Sequence, residues 1–211
     1  MEITWRGHSC FVIKSKEKTL ITDPCPPDIG YQLHELKADI VTISHFHHGH
    51  NYVTAIADSP KIIKGPGEYE IGGIFITGIG TFHDNKRGEL RGKNTIYTIE
   101  IDGLTLCHLG DLGHRLSPQL IQDVGNVDIL FLPVGEVSTI SLDIALELVG
   151  QLEPRLIIPM HYKTPAFSGN LCTLDRFLNR MRIREFEARP KLSVTSSTLP
   201  ASAQVTVLSY T

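Results

Sequence analysis

Four histidines lie within six residues of the sequence, at His45, His47, His48 and His50. They follow the apolar, β-branched run 40–43, which predicts a buried strand. The histidines therefore lie where a strand ends and a loop begins, a position common in binding sites because the strand holds the loop rigidly. Neutral imidazole is the commonest protein ligand for zinc and related divalent metals. This cluster favours a metal site over a histidine-rich, solvent-exposed turn.

Other apolar runs also end in a side chain that can bind a metal. With His45 included, five predicted strands have such a residue at their end: Asp23, His45, His83, Asp111 and His161. One strand that ends in histidine or aspartate means little, whereas five are hard to attribute to chance. Side chains from distant strands meet if the strand ends lie together at one edge of packed sheets. The sequence therefore predicts one site built from residues that are far apart in the chain.

Short apolar runs separated by glycine, proline and charged residues predict strands and hairpins in the first half of the chain. Gly72-Gly73 and Asp102-Gly103 are two-residue turns typical of tight hairpins. Residues 51–57 are predicted to form a short helix. The predicted strands span 2–5, 10–14, 20–23, 40–43, 61–64, 68–71, 74–77, 95–101 and 104–108.

From residue 118 onward, helical and strand patterns alternate. Ser141 is a predicted N-cap for a helix that runs to about residue 152, with Ile144, Leu148 and Leu152 on one face at intervals of four. Two more helices are predicted at 118–124 and 174–181, and strands at 128–132, 155–160 and 204–210. Strand 155–160 carries the last candidate ligand, His161, at its end.

Length and composition predict one domain over residues 1–211, because 41% of the residues are hydrophobic and no linker or repeat divides the chain. The net charge of −3 and the pI near 6.4 give no electrostatic reason to expect a nucleic acid or an anionic membrane as a partner. The four cysteines are widely separated and indicate reduced thiols. We find no signal-peptide pattern and no apolar run near the roughly 20 residues of a membrane span. We therefore expect a cytoplasmic protein.

The candidate residues resemble the signature of the metallo-β-lactamase superfamily of metal-dependent hydrolases. That signature is His-x-His-x-Asp-His, preceded by an Asp at a strand end and followed by an isolated His, an Asp after Gly, and a last His. Here the first part reads His45-x-His47-x-Gly49-His50, and the other residues follow in the same order. The resemblance covers nearly the whole chain and is strongest to the compact branch that includes ascorbate-6-phosphate lactonase-like proteins. It implies an α+β fold, an αββα sandwich with two mixed sheets face to face and helices on the outer faces.

The resemblance also implies roles for the individual residues. The implied metal ligands are His45, His47 and His83 for a first ion, His50 and His161 for a second, and Asp111 as a bridge between them. Asp23 is expected to orient a ligand histidine through its other ring nitrogen, so Asp111 and Asp23 are the candidate catalytic residues. The implied cofactor is zinc, as one or two divalent ions, with manganese and iron as alternatives.

The sequence departs from the signature at Gly49, where the family has Asp. That carboxylate helps to hold the second metal and handles a proton during turnover, and glycine offers no side chain. Three outcomes stay open. The site binds one metal tightly and a second weakly, or a neighbour fills in, His48 being nearest in sequence, or the protein binds metal but catalyses poorly.

The resemblance predicts a zinc-type hydrolase that uses a metal-bound hydroxide on a small ester, lactone, amide or phosphoester substrate. The alternative is a metal-binding but catalytically silent sensor or assembly protein, which Gly49 supports. A redox protein of the same fold that uses iron is less favoured, because the missing carboxylate is the kind of ligand that suits iron. We expect a small-molecule partner, no nucleic acid and no membrane, and we leave formation of a homo-oligomer open.

Overall fold

The computed structural model describes residues 1–33 and 36–210. In chain order its strands are β1 (Glu2–Gly7), β2 (Cys10–Lys14), β3 (Thr19–Thr22), β4 (Leu36–Lys37), β5 (Ile40–Ile43), β6 (Ile56–Ala57), β7 (Lys61–Lys64), β8 (Gly67–Ile71), β9 (Ile74–Phe82), β10 (Lys93–Ile101), β11 (Leu104–His108), β12 (Ile129–Pro133), β13 (Leu156–Met160), β14 (Leu192–Ser193) and β15 (Gln204–Val205). Its α-helices are α1 (Pro118–Val124), α2 (Leu142–Leu152) and α3 (Leu174–Arg180).

Two mixed sheets dominate the described part of the chain. The first has the strand order β14-β1-β2-β3-β5-β7, and the second has the order β15-β13-β12-β11-β10-β9-β8. In the first sheet, β1, β2 and β3 pair antiparallel, whereas β3, β5 and β7 pair parallel. In the second, β8 to β11 form an antiparallel meander, and β11, β12, β13 and β15 are parallel. The predicted pair of mixed sheets is confirmed.

The two sheets pack face to face through apolar side chains that alternate along the strands. Phe11 of β2 and Phe131 of β12 meet across the interface, with ring centroids 4.4 Å apart. The Tyr97 hydroxyl of β10 donates to the carbonyl of Ile43 at 2.9 Å and accepts from the N–H of Gly65 at 3.0 Å. Tyr97 therefore fixes the end of β5, directly before the histidine cluster.

The helices carry their apolar residues to the same core. Ser141 caps α2, since its hydroxyl accepts from the N–H of Ile144, and Ala145 and Leu148 are buried on the helix face that packs against the sheet residues. The other face of the first sheet is covered differently. Its residues, such as Val12 and Val41, pack against residues of the connections 23–39 and 44–60, such as Tyr31 and Ile56.

Three sequence-based predictions differ from the structure in the type of element or by more than two residues at one end. Residues 51–57 form a short 3-10 turn, Val53–Ala55, followed by β6, instead of a helix. No side chain caps this turn, and β6 pairs with β4. Strand β9 continues to Phe82, beyond the predicted end at residue 77, and the predicted strand 204–210 ends at Val205. Among the described residues, no helix has the length and apolarity needed to span a bilayer.

Candidate metal centre

The predicted site residues meet at one edge of the two sheets because of how their strands run. Strands β3 and β5 are parallel, so Asp23 and His45 follow them on the same side of the first sheet. Strands β11 and β13 each pair parallel with β12, which places Asp111 and His161 at the matching edge of the second sheet. His83 follows β9 and completes the group. The five strand-end residues are therefore brought together, as predicted.

The carboxylate of Asp111 lies at the centre of this group. Its Oδ2 atom has four histidine Nε2 atoms around it, at 3.1 Å (His161), 3.3 Å (His83), 3.4 Å (His50) and 3.9 Å (His45). Asp111 is only 2% exposed, and its Oδ1 atom has no hydrogen-bond partner among the described residues. Imidazole nitrogens that converge on one buried carboxylate are the donor set of a metal site.

The ring nitrogens form two groups of three. His45, His47 and His83 each offer one ring nitrogen, and these atoms lie within 4.8 Å of one another. His50 and His161 form a second group of the same size with His8. These groups match the predicted first and second ligand sets, with His8 as an addition.

Asp23 is fully buried and holds the histidine cluster in place. Its carboxylate accepts from the N–H of Ser44 at 2.7 Å and from the Ser44 hydroxyl at 2.5 Å, and it lies 2.9 Å from Nδ1 of His50. The hydroxyl of Ser44 is also 2.9 Å from Nδ1 of His45. Both histidines therefore present Nε2 to Asp111, which is the orienting role expected of Asp23.

Asn94 and His108 hold the turn that carries Asp111, and neither was predicted to matter. The Asn94 side-chain oxygen accepts from the N–H of Asp111 at 3.0 Å, and its amide donates to the carbonyl of Leu109 at 3.0 Å. The ring of His108 links the carbonyl of Ser9 (3.0 Å) to the N–H of Gly110 (3.2 Å). Gly110 has φ 56°, and a Cβ atom there would lie 2.4 Å from Oδ1 of Asn94, so this turn requires glycine.

The loop that follows His83 is organised by Asp84. The carboxylate accepts from four backbone N–H groups of residues 86, 88, 90 and 91, at 2.7–3.0 Å. Burial alone would raise the pKa of Asp84, but these donors lower it to about 2. The loop places Leu90 and Arg91 at the mouth of the site.

Burial and charge set the ionisation of the site. Burial lowers the pKa of His45 to about 3 and that of His83 to about 4, so both rings are neutral, as metal ligands must be. Burial also opposes the charged forms of His50 and Asp111. The nearby carboxylates of Asp111 and Asp23 nevertheless raise the pKa of His50 to about 10, so the His50 ring would have to release a proton on binding a metal. His161 and His50 in turn hold the pKa of Asp111 well below its usual range.

His8 is the one member of the two histidine groups that was not predicted as a ligand. It lies in the two-residue turn between β1 and β2, with φ 51°, and its ring is 4.1 Å from that of His161 and 4.8 Å from that of His50, centroid to centroid. Strand direction was the available signal. Because β2 pairs antiparallel with β3, the turn before β2 must lie beside the end of β3, next to Asp23.

His48, the neighbour considered as a substitute for the missing Asp, points elsewhere. It is exposed, and its Nε2 lies 2.8 Å from the carboxylate of Asp28. It therefore belongs to neither group of converging nitrogens.

The site opens into a pocket of about 540 Å³. Such a volume suits a small molecule. The predicted ligands except His45 line this pocket, and so does His8. Apolar side chains, such as Ile29, Val137 and Phe167, form much of the remaining wall. Asp111 is the single carboxylate among the described residues that line it.

The donor set suits one or two divalent ions. It consists of imidazole nitrogens around one buried carboxylate, and several of its buried atoms lack a hydrogen-bond partner in the described part of the chain: Nε2 of His45, Oδ1 of Asp111 and Nδ1 of His8. Buried polar atoms without partners are uncommon unless an ion or water satisfies them. The residues therefore fit a metal centre, with His45, His47 and His83 at one position and His50 and His161 at the other.

Comparison with known proteins gives a consistent result. The sequence matches the family described as Beta-lactamase superfamily domain over residues 2–161. A UPF0173 metal-dependent hydrolase of Thermoplasma volcanium is 32% identical over 195 residues, which cover 78% of this chain and 84% of that protein. A UPF0173 protein of Pyrococcus abyssi is 31% identical over 206 residues, covering 87% of this chain and 93% of the relative.

Solved structures show the same fold. The crystal structure of a candidate Zn-dependent hydrolase of the metallo-β-lactamase superfamily from Thermotoga maritima has a TM-score of 0.81 and 36% identity, covering 98% of this chain and 97% of that one. An isothiocyanate hydrolase from Delia radicum gut bacteria has a TM-score of 0.72, covering 93% of this chain and all of the other (100%). Its identity of 14% supports the fold alone.

Proposed function

This chain belongs to the beta-lactamase superfamily, and from that premise we propose that it is a metal-dependent hydrolase with two zinc positions. The observation that carries the proposal is the position of Asp111, with four histidine Nε2 atoms within 3.9 Å of its Oδ2 on the wall of an open pocket. The metal-dependent hydrolases among its relatives support the same class of reaction.

Each residue has a distinct part in this proposal. His45, His47 and His83 would hold the first ion, His50 and His161 would hold the second, and Asp111 would contribute its carboxylate to both. Asp23 keeps His50 in its binding orientation through Nδ1. When bound, the ions supply Lewis-acid chemistry, which polarises a carbonyl or phosphoryl oxygen and makes water a nucleophile at neutral pH.

The donor types favour zinc. Imidazole suits zinc, whereas manganese prefers carboxylate and carbonyl oxygens, and here Asp111 is the one carboxylate among the described residues that line the pocket. The structural relative from Thermotoga maritima, described as a candidate Zn-dependent hydrolase, supports this choice.

The pocket also restricts the substrate. Asp111 would be engaged by the ions, and Gly49 provides no carboxylate, so the described lining would offer no free carboxylic acid to protonate a leaving group. Amide hydrolysis needs such protonation more than ester hydrolysis does, because an amine is the more basic leaving group. The favoured substrates are therefore small esters, lactones, thioesters and phosphoesters, ahead of amides. The apolar wall suits a substrate with an apolar portion.

The test combines metal analysis with a substrate panel. Protein purified without chelator should contain up to two equivalents of zinc, and it should hydrolyse at least one lactone, thioester or phosphodiester in a chelator-sensitive manner. Absence of bound metal after equilibration with zinc would refute the proposal. Two bound ions without turnover on the whole panel would instead favour the silent sensor or assembly protein, for which Gly49 is the supporting observation.

A further inference from the structure

We infer that His8 is the third protein ligand of the second metal position and takes the place of the Asp that is absent at residue 49. The inference rests on the proposed function, since it concerns one of the two metal positions. It assigns a role to a residue outside the signature that identifies the family.

The first observation is the space beside Gly49. A Cβ atom built on Gly49 would lie 3.0 Å from Nε2 and 3.1 Å from Cδ2 of His8. Carbon atoms in proteins rarely pack so closely, because contacts between them are optimal at about 3.5–4.0 Å. The ring of His8 therefore occupies space that a side chain at position 49 would need, and glycine at that position leaves it free.

The second observation is the direction of the ring. One nitrogen of His8 lies within 4.8 Å of the ligand nitrogens of His50 and His161. A tetrahedral zinc ion with Zn–N bonds of about 2.0–2.1 Å holds its ligand nitrogens about 3.4 Å apart. Side-chain adjustments of about 1 Å would close the group around an ion.

The third observation is that the ring is fixed in place although its buried nitrogen lacks a hydrogen-bond partner in the described part of the chain. His8 is 5% exposed, and its ring stacks on Phe167 with centroids 5.1 Å apart. Its carbonyl accepts from Trp5 Nε1 and from the N–H of His161, both at 3.0 Å. Its Nδ1 is buried and has no hydrogen-bond partner among the described residues. A histidine buried only for packing would normally have its ring nitrogens satisfied.

The replacement changes the charge and the chemistry of the second position. Two histidines and a carboxylate become three neutral imidazoles, with Asp111 as the remaining anionic ligand. The second position should therefore prefer zinc over manganese more strongly than a position in which a carboxylate replaces the third imidazole.

The test is a pair of substitutions, separately and together, with zinc stoichiometry after equilibrium dialysis and the visible spectrum of the Co(II)-substituted protein as readouts. His8→Asn removes the imidazole and suits the positive φ of this residue, because asparagine tolerates that conformation. We expect wild type to bind two zinc ions. His8→Asn should lower the zinc affinity of the second position by at least about 100-fold, which exceeds the loss typical of an outer hydrogen-bond partner. Gly49→Asp combined with His8→Asn should restore two-ion binding and raise the affinity for manganese.

His48→Ala is the matched control, because His48 is the adjacent histidine that faces Asp28. It should keep both ions and the wild-type Co(II) spectrum. If His8→Asn also keeps both ions with affinities within twofold of wild type, the role of His8 is refuted while the proposed function stands. If wild type binds no zinc, the proposed function itself fails.

A crystal structure of the zinc-loaded wild type tests the same point without any substitution. It should show a His8 nitrogen about 2.0–2.1 Å from the second ion. A separation above about 3 Å would overturn the inference, whatever the behaviour of the variants.

Discussion

The backbone N–H of His161 donates to the carbonyl of His8 at 3.0 Å, and both residues have positive φ, 52° and 51°. This bond joins the turn between β1 and β2 of the first sheet to the end of β13 in the second. Asp23, at φ 35°, adopts a similarly unusual backbone conformation. Such conformations cost about 1–3 kcal/mol each and tend to occur at functional sites. Three such conformations occur next to the candidate metal ligands, which supports the proposal that this edge of the sheets is the binding site.

His47→Ala should lower the metal content by about one equivalent. His47 is the exposed member of the first group of nitrogens, so its removal deletes a ligand without opening a cavity in the core. Metal analysis after equilibration with zinc checks this result. His48→Ala should leave the content unchanged, and equal metal content in His47→Ala and wild type would remove His47 from the site.

Asp23→Asn should weaken metal binding by about 10–100-fold, the usual effect of losing an outer partner of a ligand histidine. An amide cannot accept with both of its polar atoms, whereas Asp23 accepts from Ser44 with both oxygens and lies 2.9 Å from Nδ1 of His50. Competition with a chromophoric chelator measures the affinity. Asp28→Asn, at the exposed carboxylate beside His48, should change it less than twofold.

Asn94→Ala should lower the free energy of unfolding by about 2–4 kcal/mol, because it leaves the N–H of Asp111 and the carbonyl of Leu109 buried without their partners. The metal affinity should fall as well, since the Asp111 turn loses its support. Urea denaturation in the presence of chelator isolates the effect on stability. Glu100→Ala, at an exposed position of the same strand β10, should lower it by less than about 0.5 kcal/mol.

Asp84→Asn should loosen the loop 84–92. The two carboxylate oxygens of Asp84 accept hydrogen bonds from four backbone N–H groups, whereas an asparagine side chain has only one oxygen that can accept. Trypsin should then cleave faster at the basic residues of this loop, and hydrogen exchange there should accelerate. Glu89→Gln changes an exposed carboxylate in the same loop and serves as the control. Equal cleavage rates in both variants would show that Asp84 does not order the loop.

Asp39 should contribute a small, pH-dependent share of stability away from the site. The N–H of Thr19 and the Lys18 ammonium, each 2.9 Å from its oxygens, lower the pKa of this carboxyl. Its contribution is therefore present above the unfolded pKa of about 3.9 and is lost as the pH falls through the lower folded pKa. Since its side chain is 38% exposed, Asp39→Asn should cost at most about 1 kcal/mol at pH 7. Urea denaturation should show this difference shrinking at about pH 3, and a constant difference would contradict the assignment.

Much of the fold could be predicted from local sequence. Strands β2, β5, β7 and β11 and helix α1 begin and end at the predicted residues, because each is an apolar run bounded by turn-forming or charged residues. The pattern failed at residues 51–57, where β6 pairs with β4, and at 206–210, where Leu208 and Tyr210 form isolated bridges to Arg189 and Trp5 in place of a continuous strand. The family resemblance is confirmed, whereas its compact lactonase-like branch stays a prediction.

The sequence predicted the candidate ligands that directly follow an apolar strand. It did not predict the side chains that act by positioning a ligand. Asn94 directly precedes a predicted strand and His108 ends one, and nothing in the residues around them indicates that they fix the Asp111 turn. His8 required knowledge of strand pairing, since a histidine in a short turn is ordinary by itself. The structure brings the predicted ligands together, and their roles in binding metal stay predictions.

Residues 2–64 supply every strand of the first sheet except β14, and the second sheet begins at Gly67. Each proposed ion takes ligands from both parts, His83 joining His45 and His47, and His161 joining His50. Two separately expressed fragments, divided at residues 65–66, should therefore reassociate more tightly when zinc is added than in its absence. Metal loading would then report whether the two halves of the polypeptide have assembled.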